Sequence, residues 1–389
     1  MSSRPVLKGG QETSRALNRR SVLGLLRMKP GLSRAELAGQ IGLSRAAITS
    51  VVNEMLDEGL LLEGETSAGA PGRRPIPLEI KYDAGFAVGV RVRGSSLQCV
   101  LTDLSTQVLE TVVVPLEDTS PPGLVEAIAT AVELLEAKNT GRGAPIIGIG
   151  VGIPGAVQAE TGKVLRSFRL GWRNVQLARM LAARVEVPVW VDDDVHAFAL
   201  AQFLFGAARH SGTSAVLAVG EGVAAASIVE GGVRRGAYGA AGKIGHIRIA
   251  PDGPLCECGR RGCLQSLHAE GGMVERWSKG GRAEFLAAIK AGESDALRIA
   301  RESGEAIGRV AAIYCSTIDP TMLLIGGEAT ELGAAFLMPL QESLKDTIMA
   351  DHVEIITDWD EAAWARGAAA LATQRLFDFE AVQGALSMN

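Results

Sequence analysis

The chain has no apolar run long enough to cross a bilayer. Hydrophobic residues make up 47% of its 389 positions, but glycine or charge keeps the runs short, well under the ~20 consecutive apolar residues of a spanning helix. No apolar core of a secretory leader follows Arg4 and Lys8, so no cleaved signal is expected. Cysteine is scarce: there are five, and three of them crowd into positions 256, 258 and 263. That distribution argues against a secreted disulfide scaffold and for a reducing cytoplasm. A strong basic surplus is also missing, since the net charge is −5. The charge is uneven, however. Residues 1–80 hold 11 Lys+Arg against 8 Asp+Glu, a net of +3, which leaves −8 for the remainder. A mildly basic head on an acidic body points to a nucleic-acid partner for the head only. The length calls for two or three domains.

What is present is sharpest at Gly245–Gln265. His246 stands ten residues before Cys256, and Cys258 and Cys263 follow, among Gly253, Pro254, Gly259 and Gly262. The glycines mark a loop. Three thiolates and one imidazole form the closed Cys₃His set of a structural Zn²⁺ site, one per chain, with His246, Cys256, Cys258 and Cys263 as ligands. Free or disulfide-bonded cysteines are the alternative.

The first 80 residues read as a DNA-binding unit. Residues 1–13 are expected to be disordered. Ser14–Met28 has a helical apolar pattern that Pro30-Gly31 ends. Ser33 and Glu36 make a capping box for a helix over Arg34–Ile41. Gly42 turns the chain, and Ser44 caps a second helix, Arg45–Glu58, buried through Ile48, Val51, Val52 and Met55. Two short capped helices with a glycine turn are a helix-turn-helix, whose second helix enters the major groove. The candidate DNA contacts are Arg34, Ser44, Arg45, Ala46, Thr49, Ser50 and Asn53. Arg suits guanine, Asn suits adenine, and Ala or Thr suits a thymine methyl. Strand character at Leu60–Leu62 and Leu78–Ile80 flanks a Gly/Pro/Arg segment, read as a wing with Arg73 and Arg74 at its tip for the minor groove. A basic interdomain linker is the other reading.

From residue 82 the pattern becomes α/β. Strands are expected at Ala87–Val92, Leu97–Leu104, Thr111–Leu116, Ile146–Val151 and Val189–Val191, and helices at Pro121–Lys138, Leu177–Arg184 and His196–Phe205. A second half repeats the scheme, with strands Ala215–Gly220, Ala224–Glu230, Met322–Gly327 and Val353–Thr357. Its helices are expected within 268–311, at Leu332–Met349 and at Glu361–Phe377.

The stretch G-H followed ten residues later by C-x-C-G-x-x-G-C resembles the signature of the ROK family of repressors and sugar kinases, and the likeness runs from about residue 14 to 376. It implies an α/β fold: an N-terminal winged helix-turn-helix followed by a two-lobed actin-like (ribonuclease-H-like) ATPase fold. The implied division is 14–80 for the head, 81–213 with 363–389 for the first lobe, and 214–362 for the second. It implies an effector pocket with candidate contacts at Gly155, Arg169, Asp193, Asp194, Lys243, His246 and Gln265. The partners implied are a palindromic double-stranded operator and a sugar or anionic sugar derivative. The chain is expected to be a homodimer or homotetramer without a membrane.

The chain departs from the family's pattern where phosphate is handled. The D-x-G-G-T slot reads Arg91-Val92-Arg93-Gly94-Ser95, and the G-T-G-I-G cradle reads Val219-Gly220-Glu221-Gly222-Val223. An arginine replaces the magnesium-binding acid, and a carboxylate faces the polyphosphate, where like charges repel. The expectation is therefore a regulator and not an enzyme. The rival is an ATP-dependent sugar kinase with a regulatory DNA-binding head, with Asp194 as its base. In the pocket, Lys243 and Gln265 replace family glutamates and Arg169 replaces an asparagine. Either these groups meet an anionic effector, or they pair internally with Asp192 or Asp193.

Overall fold

The computed structural model describes residues 11–65, 75–349 and 353–377. The head opens with α1 (Gln11–Met28), α2 (Arg34–Ile41) and α3 (Arg45–Asp57), followed by β1 (Leu61–Glu63) and β2 (Leu78–Ile80). Helix α1 begins three residues before the expected Ser14, inside the stretch expected to be disordered; residues 1–10 lie outside the described residues. At α2 the capping box forms: the Ser33 amide donates to Glu36 Oε2 at 2.8 Å, and Ser33 Oγ accepts from the Glu36 amide at 3.4 Å. Gly42 takes the left-handed conformation, φ 76°, that the turn requires and a side chain resists. Ser44 Oγ accepts from the Ala47 amide and starts α3. Val22, Leu26, Leu37, Ile48, Val52 and Met55 close one small core with Leu61 and Leu78. The antiparallel β1–β2 pair supplies the base of a wing.

Next come β3 (Phe86–Val92), β4 (Ser96–Asp103), β5 (Val108–Pro115), α4 (Pro121–Asn139) and β6 (Ile146–Ile153). They are followed by β7 (Ala156–Gln158), β8 (Lys163–Ser167), β9 (Trp172–Val175), α5 (Leu177–Ala182), β10 (Val189–Asp193) and α6 (Asp194–Leu204). The first sheet has the order β10-β6-β3-β4-β5, with β3, β6 and β10 parallel. The antiparallel β7-β8-β9 sheet was not legible in the sequence: its strands are three to five residues long, too short for a clear alternation.

The second half contains β11 (Thr213–Val219), β12 (Val223–Val229), β13 (Gly232–Val233), α7 (Leu264–His268), α8 (Glu270–Trp277), α9 (Arg282–Lys290) and α10 (Ser294–Ile318). It ends with β14 (Met322–Gly326), α11 (Ala334–Lys345), β15 (Glu354–Thr357) and α12 (Ala363–Phe377). Its sheet runs β13-β12-β11-β14-β15.

The last helix belongs to the first sheet. A Cβ on Gly89 of β3 or Gly150 of β6 would fall 1.9 Å and 1.8 Å from the carbonyl oxygens of Ala365 and Ala368. Only glycine lets α12 lie that close to the strands. Helix α6 packs on α12 and, through Val195, Phe198 and Ala199, on Val216, Ala226 and Ile228 of the second sheet. The two helices thus form the layers between the two sheets. Among the described residues, no helix is long and apolar enough to cross a membrane.

Candidate functional site

The cleft between the sheets contains a cavity of about 410 Å³, within the usual range for small-molecule sites. The carboxyl ends of β3, β6 and β10 reach it from one side, and the turns after β11 and β14 from the other. Gly155, Arg169, Asp194, Lys243, His246 and Gln265 all line it. Asp193 does not. It is 1% exposed and sits behind the wall, where its Oδ1 caps α6 by accepting from the His196 amide at 3.3 Å. Its other oxygen accepts from the Lys243 ammonium and from the Gly155 amide, the latter at 3.4 Å. The helix therefore starts at Asp194, two residues before the expected His196, with Asp193 as its cap.

Two of the pocket cations, Lys243 and Arg169, are paired within the chain, while Arg166 and Arg260, which also line the cavity, have no ion pair among the described residues. Lys243 is held by Asp193, as the reading of internal pairing expected. Asp192 takes Arg235 instead, Nε to Oδ2 at 2.6 Å. Arg169 reaches neither aspartate. It pairs with Glu221 at 2.5 Å and approaches Glu257 at 3.5 Å. Gln265 donates to Glu257 at 3.0 Å. Asp194 faces the cavity with its carboxyl raised to about 6, by desolvation first and by the neighbouring Asp193 charge second.

Sequence reasoning missed the residue that closes the far end of the cleft. Glu328 follows the Gly326-Gly327 turn and forms an ion pair with Arg91, across the two lobes. Trp364 Nε1 donates to Glu328 Oε1 at 3.3 Å, and the Arg91 guanidinium stands 5.4 Å from the Trp364 ring. Arg91, at the acid position of the expected phosphate-handling segment, is thus taken up by a carboxylate of the chain itself, while Arg93, Gly94 and Ser95 of that segment line a second cavity of about 700 Å³. The signal available was the charge reversal at position 91, which called for a carboxylate partner. Nothing local marked Glu328 as that partner.

The ligating atoms of His246, Cys256, Cys258 and Cys263 lie within 4.8 Å of one another. Cys258 Sγ to Cys263 Sγ is 3.6 Å, and Cys256 Sγ to His246 Nδ1 is 3.6 Å. A tetrahedron with metal–sulfur bonds of about 2.3 Å has edges of about 3.7 Å, so the donor set fits a tetrahedral ion. Burial holds the His246 imidazolium below its ordinary pKa, favouring the neutral ring a metal needs. The loop also builds cavity wall. Glu257 and Arg260 lie between the ligands, and His246 packs edge-on against Phe168 with centroids 5.4 Å apart.

In the head, Ser44, Arg45, Ala46, Thr49, Ser50 and Asn53 are exposed on α3. Thr49 Oγ1 is turned inward, donating to the Arg45 carbonyl at 2.7 Å, so the helix itself takes up its hydroxyl proton. Arg34 is half-buried and already engaged, donating to Asn53 Oδ1 at 3.1 Å and pairing with Glu63 at 2.8 Å. Arg73 and Arg74 lie outside the described residues.

The profile of the ROK family matches residues 87–375, and that of a winged helix-turn-helix DNA-binding family matches 15–61. The xylose repressor of Caldicellulosiruptor bescii is 26% identical over 361 residues, covering 86% of this chain and 88% of that protein. The DNA-binding transcriptional dual regulator NagC of Escherichia coli K12 is 28% identical over 353 residues, 87% of each. A glucokinase of Streptomyces coelicolor is 28% identical over 301 residues, 70% of this chain and 92% of that one. Among solved structures, a ROK family transcriptional regulator described as a homologue of the E. coli MLC protein superposes with a TM-score of 0.84 at 22% identity, over 96% of this chain and 100% of that one. The glucokinase match covers a smaller share of this chain than the repressor and regulator matches do. The chain therefore belongs to the ROK family, carrying a winged helix-turn-helix ahead of its two-lobed family domain.

Proposed function

We propose that this chain is a DNA-binding transcriptional regulator of the ROK type, acting as a repressor and controlled by a small ligand in the interlobe cavity. The observation that carries the reading is the exposed face of α3: Arg45, Ala46, Ser50 and Asn53 stand free of the head's core at the position of a recognition helix. The head spans 14–80, the first lobe 81–213 with 363–389, and the second 214–362. A two-fold dimer, or a tetramer built from two, presents paired heads to a palindromic operator in the cytoplasm.

The ligand we infer is a sugar or sugar derivative. Lys243, Arg169 and Arg91 each already hold a carboxylate, so an anion meeting any of these three competes with Asp193, Glu221, Glu257 or Glu328. A polyhydroxylated ligand instead finds an acceptor in Asp194 and a side-chain amide in Gln265. Ligand between the lobes favours one interlobe angle and with it one placement of the heads.

A structural zinc is the ion the Cys₃His set suits. It would be held by His246, Cys256, Cys258 and Cys263, and would fix Glu257 and Arg260 in the cavity wall. Phosphoryl transfer is not part of this function. What supports this is Arg91, which stands in place of the family's magnesium-binding acid and is already paired with Glu328. Enrichment of genomic fragments on the full-length protein, followed by footprinting, tests the reading. An inverted repeat with half-sites about one helical turn apart is expected. Recovery of random fragments, or turnover of ATP with any sugar, contradicts it.

A further inference from the structure

The head and the cavity are joined by two helices that run side by side in the same sense. Asp194 opens α6 and Trp364 lies in the first turn of α12, and both residues line the cavity. Their other ends, Leu204 and Phe377, meet the head. At about 1.5 Å per residue the helices are about 16 and 22 Å long. They touch at backbone distance: a Cβ on Gly367 of α12 would lie 2.8 Å from the Phe198 Cα of α6. Their packing differs: α12 lies on β3 and β6 of the first sheet, while α6, which follows β10 directly, also lies on β12 of the second. Because only α6 also packs on the second sheet, a change in interlobe angle acts on α6 more than on α12.

One head residue touches both far ends. Arg27, in the last turn of α1, donates through Nη1 to the Leu204 carbonyl, with the Phe203 carbonyl at 3.5 Å. These are carbonyls at the end of α6, which have no partner within their own helix. The same guanidinium lies 5.8 Å from the Phe203 ring and 5.9 Å from the Phe377 ring at the end of α12. Phe377 packs edge-on with Phe205 at 5.5 Å and, with Leu376, against the head's core. A planar cation held by carbonyls of one helix and a ring of another is satisfied at only one relative position of the two.

We propose that Arg27 is a positioning residue that couples the cavity to the head: it docks the head only when the ends of α6 and α12 are in register. Ligand in the cavity shifts that register and so frees or fixes α1. This inference rests on reading the cavity as the effector site and the head as the DNA reader. Its test uses neither DNA nor sugar, so failure here leaves that reading standing, and failure of that reading leaves this coupling measurable.

The test is amide hydrogen exchange on the full-length protein. Arg27→Ala should speed exchange in α1 and in the last turn of α6 by about tenfold, the loss expected for one charge-assisted hydrogen bond. Amides of β6 and β12 should not change. Arg27→Lys should behave like Arg27→Ala, because an ammonium cannot both stack and span. Lys243→Met, which releases the α6 cap Asp193 from the second lobe, should also speed exchange in α1. It should add nothing in the Arg27→Ala background. If Lys243→Met strips protection from β12 and β14, the paired substitution Arg91→Met with Glu328→Leu serves as the cavity-end perturbation instead. Unchanged α1 exchange on cavity-end substitution, or an equal increment with and without Arg27, overturns the proposal.

Discussion

The Arg91–Glu328 pair offers a quantitative check on the claim that the cleft is closed by the chain's own side chains. The two side chains are 10% and 12% exposed, so removing one leaves the other buried and uncompensated. Breaking such a pair costs about 3–5 kcal/mol. The lower end applies, because Arg91 Nη1 and Glu328 Oε2 already have no hydrogen-bond partner. Arg91→Met and Glu328→Leu should each destabilise by about 3 kcal/mol, a fall in melting temperature of about 6–12 °C for a domain of this size. The double substitution removes both charges and leaves only Trp364 Nε1 without its acceptor, a loss of about 1 kcal/mol. The pair should thus be strongly non-additive, by several kcal/mol in a double-mutant cycle. Urea unfolding of the four proteins, supported by calorimetry, measures it. Singles that each cost under about 1 kcal/mol, or a double equal to their sum, would refute the closed-cleft argument.

Cys258→Ser should lower bound zinc from one per chain to a small fraction, and loosen the wall that carries Glu257 and Arg260; chelator-dye assay of the purified protein checks it, and stoichiometric metal in a Cys256/Cys258/Cys263 triple variant contradicts it. Asp194→Asn should shift the pH dependence of stability. The folded carboxyl titrates near 6, above its ordinary value, so its ionisation weakens the fold as pH rises from about 4 through 6. The Asn variant should be the more stable at pH 7 and lose that advantage near pH 4, as read by urea midpoints. Arg45→Ala should cost about 1–3 kcal/mol at the cognate site and little on scrambled DNA, measured by fluorescence anisotropy at fixed salt. Equal loss on both sequences would place Arg45 on phosphate instead of a base.

Local chemistry was legible in the sequence, and contact across the fold was not. The capping box at Ser33, the turn at Gly42, the α3 core stripe and the Cys/His cluster each depend on residues close in sequence, and each stands where periodicity or spacing put it. The strands of both main sheets were legible for the same reason, except the two-residue β13. The misses are long-range or short in extent. Glu328 is 237 positions from Arg91, and no periodicity links them. The strands β7, β8 and β9 are too short to declare themselves. Asp193 and Asp194 are adjacent, so composition could not say which capped α6 and which faced the cavity; the backbone decided it. Internal pairing of the pocket cations was one of two readings; Lys243 meets Asp193 as that reading has it, but Arg169 meets Glu221 and Glu257, carboxylates supplied by other loops.

The proposed function puts DNA reading in the head and not in the body. The direct measurement is binding of full-length protein, and of a fragment starting at Tyr82, to the genomic site recovered by enrichment, at physiological salt. The full-length chain should bind with a dissociation constant of about 10⁻⁸ M or tighter and release as salt rises, while the fragment shows no binding at that concentration. Full cognate affinity in the fragment would contradict the account.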